Sequence, residues 1–121
     1  MTSCLVVDDS QVVRSVARRI LRSLDIAVSE AENGQVALDR CRVGLPDVVL
    51  LDWHMPVMDG ISFLQQLRSR YGSGQPIVMF CSTENDLGRV RLALEAGADD
   101  YIMKPFDETI IRSKFAQAGL L

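Results

Sequence analysis

Short apolar segments alternate with amphipathic segments along the whole chain. Five segments are short, apolar and rich in β-branched residues, a pattern that predicts β-strands. They are residues 4–8, 27–30, 47–52, 76–81 and 100–104. Three are nearly continuous apolar runs, as expected for strands buried on both faces of a parallel sheet. The second is the least apolar, so we expect it near an edge of the sheet.

Apolar residues recur at helical spacing between the predicted strands. They are Val13, Val16, Ala17, Ile20 and Leu24 in the first such segment, and Leu87, Val90 and Leu94 in the fourth. Ser10 and Asp59 stand where helix N-caps belong. The alternation of strands and helices predicts parallel βαβ units, and therefore an α/β fold of the doubly wound class.

Composition narrows the class of protein. The 121 residues are 48% hydrophobic and 24% charged, which describes one compact domain with a real core. The longest apolar run, residues 48–51, is far shorter than the roughly 18 residues of a membrane helix. Because the N-terminus also lacks a signal-peptide pattern, we expect a cytoplasmic protein without a membrane partner.

Cysteine usage and charge point to a protein partner. Cys4, Cys41 and Cys81 form neither a C-x-x-C pair nor an even disulfide set, so we expect reduced, buried thiols. The net charge of −3 argues against nucleic acid as the main partner, since non-specific nucleic-acid binding usually leaves a basic surface.

Polar residues follow four of the predicted strands where they end. The first strand ends in Asp8 and Asp9, the third in Asp52, the fourth in Ser82 and the fifth in Lys104. Ligands of open parallel sheets bind beyond the carboxyl ends of the strands, so we expect these side chains to converge. The second strand ends in a glutamate, to which we assign no role because an edge strand would hold it away from the centre.

The converging groups suit phosphoryl transfer. Three carboxylates repel one another in a half-buried site, and a divalent cation that prefers oxygen ligands, most plausibly Mg²⁺, would neutralise them. The metal and Lys104 would together attract an anion. A site that adds a hydroxyl and a carboxylate nucleophile is suited to moving a phosphoryl group onto that carboxylate, and Asp52 is the candidate acceptor.

Four motifs carry a resemblance to a known family. They are "VVDDS" at 6–10, "LLDWHMPVMDG" at 50–60, "CSTE" at 81–84 and "DYIMKPF" at 100–106. Together they identify the chain as similar to response-regulator receiver domains of two-component systems, and in size to the stand-alone chemotaxis-type members. The resemblance implies a flavodoxin-like sheet of five parallel strands in order 2-1-3-4-5 with five helices. It also implies one receiver domain over residues 1–121, with no attached output domain.

The resemblance assigns roles in the site. It implies that Asp9 and Asp52 bind Mg²⁺ directly together with the main-chain carbonyl of His54, while Asp8 acts through a water molecule. Ser82 and Lys104 would contact the phosphoryl oxygens, and the peptide bond from Lys104 to the following proline is expected to be cis.

The resemblance further implies a switch and partners. Tyr101 would couple to Ser82 after phosphorylation, and His54, Thr83 and Glu84 would tune dephosphorylation. The donor would be a phosphohistidine on a sensor kinase or phosphotransfer protein. The output would be a protein bound to the face of the fourth helix, fifth strand and fifth helix. We expect a monomer or weak dimer that turns over no separate substrate and catalyses its own phosphorylation and hydrolysis in part.

Simpler roles are open for several of these residues. Asp8 and Asp9 are also suited to stabilising the dipole of the following helix. Ser82 or Thr83 would serve as an N-cap, and Tyr101 as an ordinary packed aromatic residue.

Three arginines have two interpretations. Arg14, Arg18 and Arg22 fall on one helical face and suggest either a nucleotide or nucleic-acid contact or, as we prefer, a solvated surface.

Two other protein classes fit part of this pattern. A haloacid-dehalogenase-like phosphatase uses a similar set of groups but wants an aspartate where this chain has His54. A flavin carrier shares the fold, but its phosphate loop would not be acidic like "DDSQ" at 8–11. Two related alternatives are an intermediate of a multi-step phosphorelay and a fragment of a larger regulator.

Overall fold

The computed structural model describes residues 1–83 and 87–121, which form a parallel sheet of five strands flanked by five helices. The elements are β1 (Ser3–Val7), α1 (Gln11–Ser23), β2 (Ala27–Ala31), α2 (Gly34–Val43), β3 (Val48–Leu51), α3 (Gly60–Tyr71), β4 (Ile77–Ser82), α4 (Leu87–Glu95), β5 (Asp100–Met103) and α5 (Glu108–Gln117). The strand order is β2-β1-β3-β4-β5 and every pairing is parallel. The predicted fold class and strand order are confirmed.

Strand ends differ from the predicted bounds by about one residue, and two of the shifts concern the candidate site. β1 ends at Val7, so Asp8 lies in the loop rather than in the strand. β4 continues through Ser82, because this residue still pairs with Met103 of β5. The Ser82 hydroxyl therefore belongs to the last residue of β4, whose backbone is held by pairing with β5.

Alternate residues of the strands build two apolar layers. Leu5 and Val7 of β1 belong to the layer that includes residues of α2 and α3, while Cys4 and Val6 belong to the layer with residues of α1 and α5. Since side chains point alternately to the two faces of a strand, a strand buried on both faces must be apolar throughout. β2 is the exception expected from its sequence, because it lies at one edge and is partly exposed.

Most of the apolar stripe of α4 lies on the exposed side of the helix. Leu87 and Leu94 are 82% and 47% exposed, whereas Ala93 is fully buried. The small side chain of Ala93 is the one that enters the apolar layer. Leu87 and Leu94 therefore face solvent instead of the sheet, while Val90 is half-buried.

Local features of the helices and cysteines agree with the sequence. The Ser10 hydroxyl accepts a hydrogen bond from the Val13 amide at 3.3 Å, and the Asp59 carboxylate accepts one from the Ser62 amide at 2.9 Å. Both residues are N-caps, as predicted. The three cysteines are free and buried, and burial raises the pKa of the Cys41 thiol to about 11. Within the part of the chain that the structure describes, no helix is long and apolar enough to span a membrane.

Candidate functional site

Backbone pairing continues just beyond the strands and brings the predicted site residues to one edge of the sheet. The Asp8 amide donates a hydrogen bond to the Ala31 carbonyl at 3.0 Å, and the Asp52 amide donates to the Val7 carbonyl at 2.9 Å. The Lys104 amide likewise donates to the Ser82 carbonyl at 2.9 Å. The first residue after each of these strands is therefore held almost as firmly as the strand itself.

Three carboxylates meet at this edge. Asp8, Asp9 and Asp52 each offer one oxygen, and these oxygens all lie within 4.8 Å of one another. Asp8 is buried, Asp52 is half-buried and Asp9 is exposed. Hard cations such as Mg²⁺ prefer oxygen ligands and usually retain waters, so a cluster with one solvent-facing member fits such an ion.

Lys104 connects two of the carboxylates. Its Nζ atom lies 2.6 Å from Asp8 Oδ2 and 3.1 Å from Asp52 Oδ1. Burial alone would lower the pKa of Lys104, but the hydrogen bond to Asp8 and the charges of both carboxylates raise it. The lysine is therefore a fixed cation in the site.

The single lysine does not balance the negative charge. Burial and the charge of Asp8 raise the pKa of Asp52, although Lys104 acts in the opposite direction. The ionised acceptor is thus held in an environment that disfavours its charge, and a cation bound beside it would relieve this cost.

Asp8 is oriented by two contacts. Its Oδ1 accepts a hydrogen bond from the Ser10 amide at 2.9 Å, while its Oδ2 faces the Lys104 ammonium. The N-cap of α1 is Ser10 itself. Because Asp8 is only 3% exposed and is tied to the lysine that follows β5, the site explains its position better than stabilisation of a helix dipole does.

The loop from β3 to α3 passes so close to Asp52 that a glycine is needed. The Gly60 amide donates a hydrogen bond to the Trp53 carbonyl at 2.9 Å. A Cβ atom on Gly60 would overlap the Asp52 carbonyl oxygen and would lie 2.8 Å from the Phe80 ring. The loop is also joined to α2, since the Gly34 amide donates to the Met58 carbonyl at 2.9 Å.

The hydroxyl residues differ in burial. Ser82 is 4% exposed at the end of β4, whereas Thr83 is exposed. Glu84, which was predicted to tune dephosphorylation, lies outside the described residues. The predicted roles of Ser82 and Thr83 remain predictions.

An aromatic row runs from the acceptor loop to β5. The Trp53 and Phe80 rings are 5.0 Å apart, and the Phe80 and Tyr101 rings are 6.4 Å apart and stacked. Tyr101 is half-buried beside this row. The role of Tyr101 as a switch remains a prediction.

His54 lies at the exposed mouth of the site. Its Nε2 is 3.4 Å from Nη1 of Arg89 in α4, and the Arg89 guanidinium lies 5.2 Å from the centre of the Trp53 ring. The proposed metal contact of the His54 carbonyl remains a prediction. The Lys104–Pro105 bond is cis, as expected from the resemblance.

An ion-pair cluster that no sequence pattern predicted lies next to the site. Glu30, to which no role was assigned, pairs with Arg14 at 3.2 Å and with Arg18 at 2.6 Å. The preferred interpretation of a solvated arginine face therefore fits only Arg22, which is exposed. The i, i+4 spacing of the first two arginines showed that they share a face, but not that the end of β2 lies opposite them.

An apolar cavity opens beside the lysine. It has a volume of about 310 Å³ and lies between α1 and the loop after β5. Its lining residues are Val12, Val13, Val16, Thr83, Lys104, Pro105 and Phe106. The polar groups of the site are therefore bordered on the side of α1 by apolar side chains.

Comparison with known proteins gives one family. The model of the response regulator receiver domain matches residues 4–116. The chain is 39% identical over 115 residues to the transcriptional regulatory protein ResD of Bacillus subtilis, covering 93% of this chain and 47% of that protein. It is 38% identical over 107 residues to the chemotaxis protein CheY of Listeria monocytogenes, covering 88% of each.

Comparison with solved structures also finds chemotaxis-type proteins of this fold. The chemotaxis protein CheY4 of Vibrio cholerae matches with a TM-score of 0.90 and 26% identity, covering 97% of this chain and 98% of that one. The chain spans only about a third to a half of the length of ResD and of two further curated relatives.

Proposed function

The chain belongs to the response regulator receiver domain family of two-component signalling, and we propose that it is a switch operated by phosphorylation of Asp52. The observation that carries the proposal is the position of Asp52, whose carboxylate lies 3.1 Å from the Lys104 ammonium and in a cluster with Asp8 and Asp9. An anionic group that reaches Asp52 would meet a fixed cation there.

The proposed reaction is transfer from a phosphohistidine of a sensor kinase or phosphotransfer protein. An oxygen of Asp52 attacks the phosphorus, the new O–P bond forms, and the P–N bond breaks with its electron pair going to the imidazole. Lys104 and Ser82 contact the phosphoryl oxygens and offset their growing charge. Hydrolysis later breaks the O–P bond by attack of water and returns the Asp52 carboxylate.

A magnesium site fits the carboxylate cluster. We assign Asp9 and Asp52 as direct ligands together with the His54 carbonyl, and Asp8 as a ligand through water. When bound, Mg²⁺ would neutralise charge on the carboxylates and on the incoming phosphoryl group. The three oxygens within 4.8 Å and the raised pKa of Asp52 support this assignment.

The proposed output surface is the face of α4, β5 and α5. Exposed apolar side chains support a protein partner on this face, because solvent-facing leucine and methionine side chains of this kind favour protein contact. They are Leu87, Leu92 and Leu94 of α4 and Met103 of β5. Ser82 and Tyr101 would link phosphorylation to this face, since Ser82 is the last residue of β4 and Tyr101 is the last ring of the aromatic row.

We propose that the switch is cytoplasmic and that it is a monomer, or a weak dimer when phosphorylated. We also propose that its output is of the chemotaxis type. An intermediate of a phosphorelay, or one domain of a larger regulator, is the alternative. A relative in Desulfotalea psychrophila is a protein-glutamate methylesterase, whereas for residues 1–121 we propose no turnover of a separate substrate.

Labelling with a small phosphodonor tests the proposal. The protein is incubated with Mg²⁺ and acetyl phosphate and its intact mass is measured over time. One added phosphoryl group is expected for the wild-type chain and none for Asp52→Asn. Equal labelling of both proteins would overturn the assignment of Asp52.

A further inference from the structure

We propose that Arg14 is a positioning residue for the metal ligand Asp9, because it holds the carbonyl group of the preceding peptide. The inference rests on the proposed function, since it concerns the same magnesium site. Arg14 lies in α1 and is neither a predicted metal ligand nor a predicted contact of the phosphoryl group.

The two neighbouring aspartates are held differently. The Asp8 carboxylate is fixed by the Ser10 amide and by Lys104, at 2.9 Å and 2.6 Å. The Asp9 carboxylate is exposed, and among residues 1–83 and 87–121 it makes no hydrogen bond or ion pair. The backbone therefore fixes the direction of the Cα–Cβ bond of Asp9, from which the carboxylate reaches the site.

Arg14 fixes that backbone from one side. Its Nη1 donates a hydrogen bond to the Asp8 carbonyl oxygen at 2.6 Å, and its Nε donates to Glu30 Oε1 at 3.2 Å. The Arg14 side chain is only 16% exposed. A planar guanidinium held at two points has little freedom, so the peptide between Asp8 and Asp9 is tied to the end of β2.

A ligand that is already oriented loses less freedom when the ion binds. Groups that orient metal ligands typically change metal affinity by about 10–100-fold when they are removed. Asp9 is held through a peptide rather than by a direct contact, so we expect Arg14→Met to weaken Mg²⁺ binding by about 10-fold, at the lower end of that range.

Charge alone predicts the opposite result. Arg14 is a cation that contacts the backbone of Asp8, and removing a cation beside a cation-binding site should strengthen the binding of Mg²⁺. Positioning and simple electrostatics therefore differ in the sign of the effect, which makes the measurement decisive.

Arg18 supplies the matched control. It is the other partner of Glu30, at 2.6 Å, and its hydrogen bonds within the described residues go only to Glu30 and Ser15. Arg18→Met removes the same charge from the same helix without touching the peptide of Asp8. We expect its Mg²⁺ affinity to equal or slightly exceed that of the wild-type chain.

The experiment titrates Mg²⁺ into the metal-free chain and follows the fluorescence of Trp53, with folding of each variant checked by urea unfolding. Weaker binding in Arg14→Met but not in Arg18→Met is the expected result. Unchanged or tighter binding in Arg14→Met would overturn the positioning role. If Arg14→Met does not fold, Arg14→Lys retains the charge but not the two-point contact. It should then bind Mg²⁺ more weakly, and wild-type affinity in that variant would also overturn the role.

Failure of the proposed function is recognised separately. If the wild-type chain itself shows no saturable response to Mg²⁺, the magnesium site is wrong whatever the variants do. If the wild-type chain binds Mg²⁺ and the two arginine variants behave alike, only the role of Arg14 is wrong.

Discussion

The ammonium group of Lys104 lies closer to Asp8 than to Asp52, at 2.6 Å against 3.1 Å. Both lysine and Asp8 are nearly excluded from solvent, with side-chain exposures of 14% and 4%. The residue that anchors the lysine is thus not the proposed acceptor. This leaves the Asp52 carboxylate only partly compensated and available to react.

Removal of the charge on Asp52 should stabilise the metal-free protein. Burial and the charge of Asp8 raise the pKa of Asp52 above its usual 3.8, so the folded chain binds this proton more tightly than the unfolded chain. Stability from this group is complete below pH 3.8 and is lost as the pH rises through the raised value. At pH 7 we therefore expect Asp52→Asn to be more stable than wild type by ~1 kcal/mol in urea unfolding.

The control is the same comparison at lower pH and with Mg²⁺. The difference should shrink as the pH approaches the carboxyl range, and Mg²⁺ should stabilise the wild-type chain more than the variant. A variant less stable than wild type at pH 7 without metal would contradict this account of the site.

The two aspartates of the first loop should contribute unequally to metal binding. Asp9→Ala should weaken Mg²⁺ binding more than Asp8→Ala does, because a direct carboxylate ligand contributes more than one that acts through water. Titrations followed by the fluorescence of the single tryptophan, Trp53, measure both affinities. Coinciding titration curves would mean that the ligand roles are divided wrongly.

The close approach at Gly60 should make this position intolerant of any side chain. A Cβ atom there would overlap the Asp52 carbonyl oxygen, so the loop or the acceptor must move. We expect Gly60→Ala to lower the free energy of unfolding by about 2–3 kcal/mol and to slow labelling of Asp52. Gly44→Ala is the control, since a Cβ atom at Gly44 meets nothing within 4 Å. Equal stability of the two variants would contradict the packing described here.

The lifetime of the phosphorylated state should depend on His54. Water must approach in line with the O–P bond to hydrolyse the aspartyl phosphate, and the exposed imidazole lies at the mouth of the site. We expect the imidazole to obstruct that approach partly, so His54→Ala should lose its phosphoryl group faster at constant Mg²⁺, as followed by intact mass. Slower loss would instead indicate a histidine that orients the water.

Much of the fold followed from periodicity, but the packed face of α4 did not. Helical spacing shows that leucines share a stripe, and it does not show whether that stripe meets the sheet or the solvent. In α4 the buried position is Ala93, while Leu87 and Leu94 are exposed. The spacing therefore predicts the helix but not which of its residues are buried.

The site was predictable where residues follow strands directly and not where contacts join separate elements. The convergence of Asp8, Asp52 and Lys104 required only the parallel order of the strands. The contact of Arg14 with Glu30 and with the Asp8 carbonyl depends on how α1 lies across β2, which no local pattern states. The position of Ser82 inside β4 likewise depended on pairing with β5.

Mapping the phosphoryl group tests the central claim most directly. The chain is phosphorylated with Mg²⁺ and acetyl phosphate and reduced with borohydride, which converts an aspartyl phosphate to homoserine. Its peptides are then sequenced by tandem mass spectrometry. The account predicts homoserine at position 52 and unmodified aspartates at positions 8 and 9. Homoserine at position 8 or 9, or at none of the three, would contradict it.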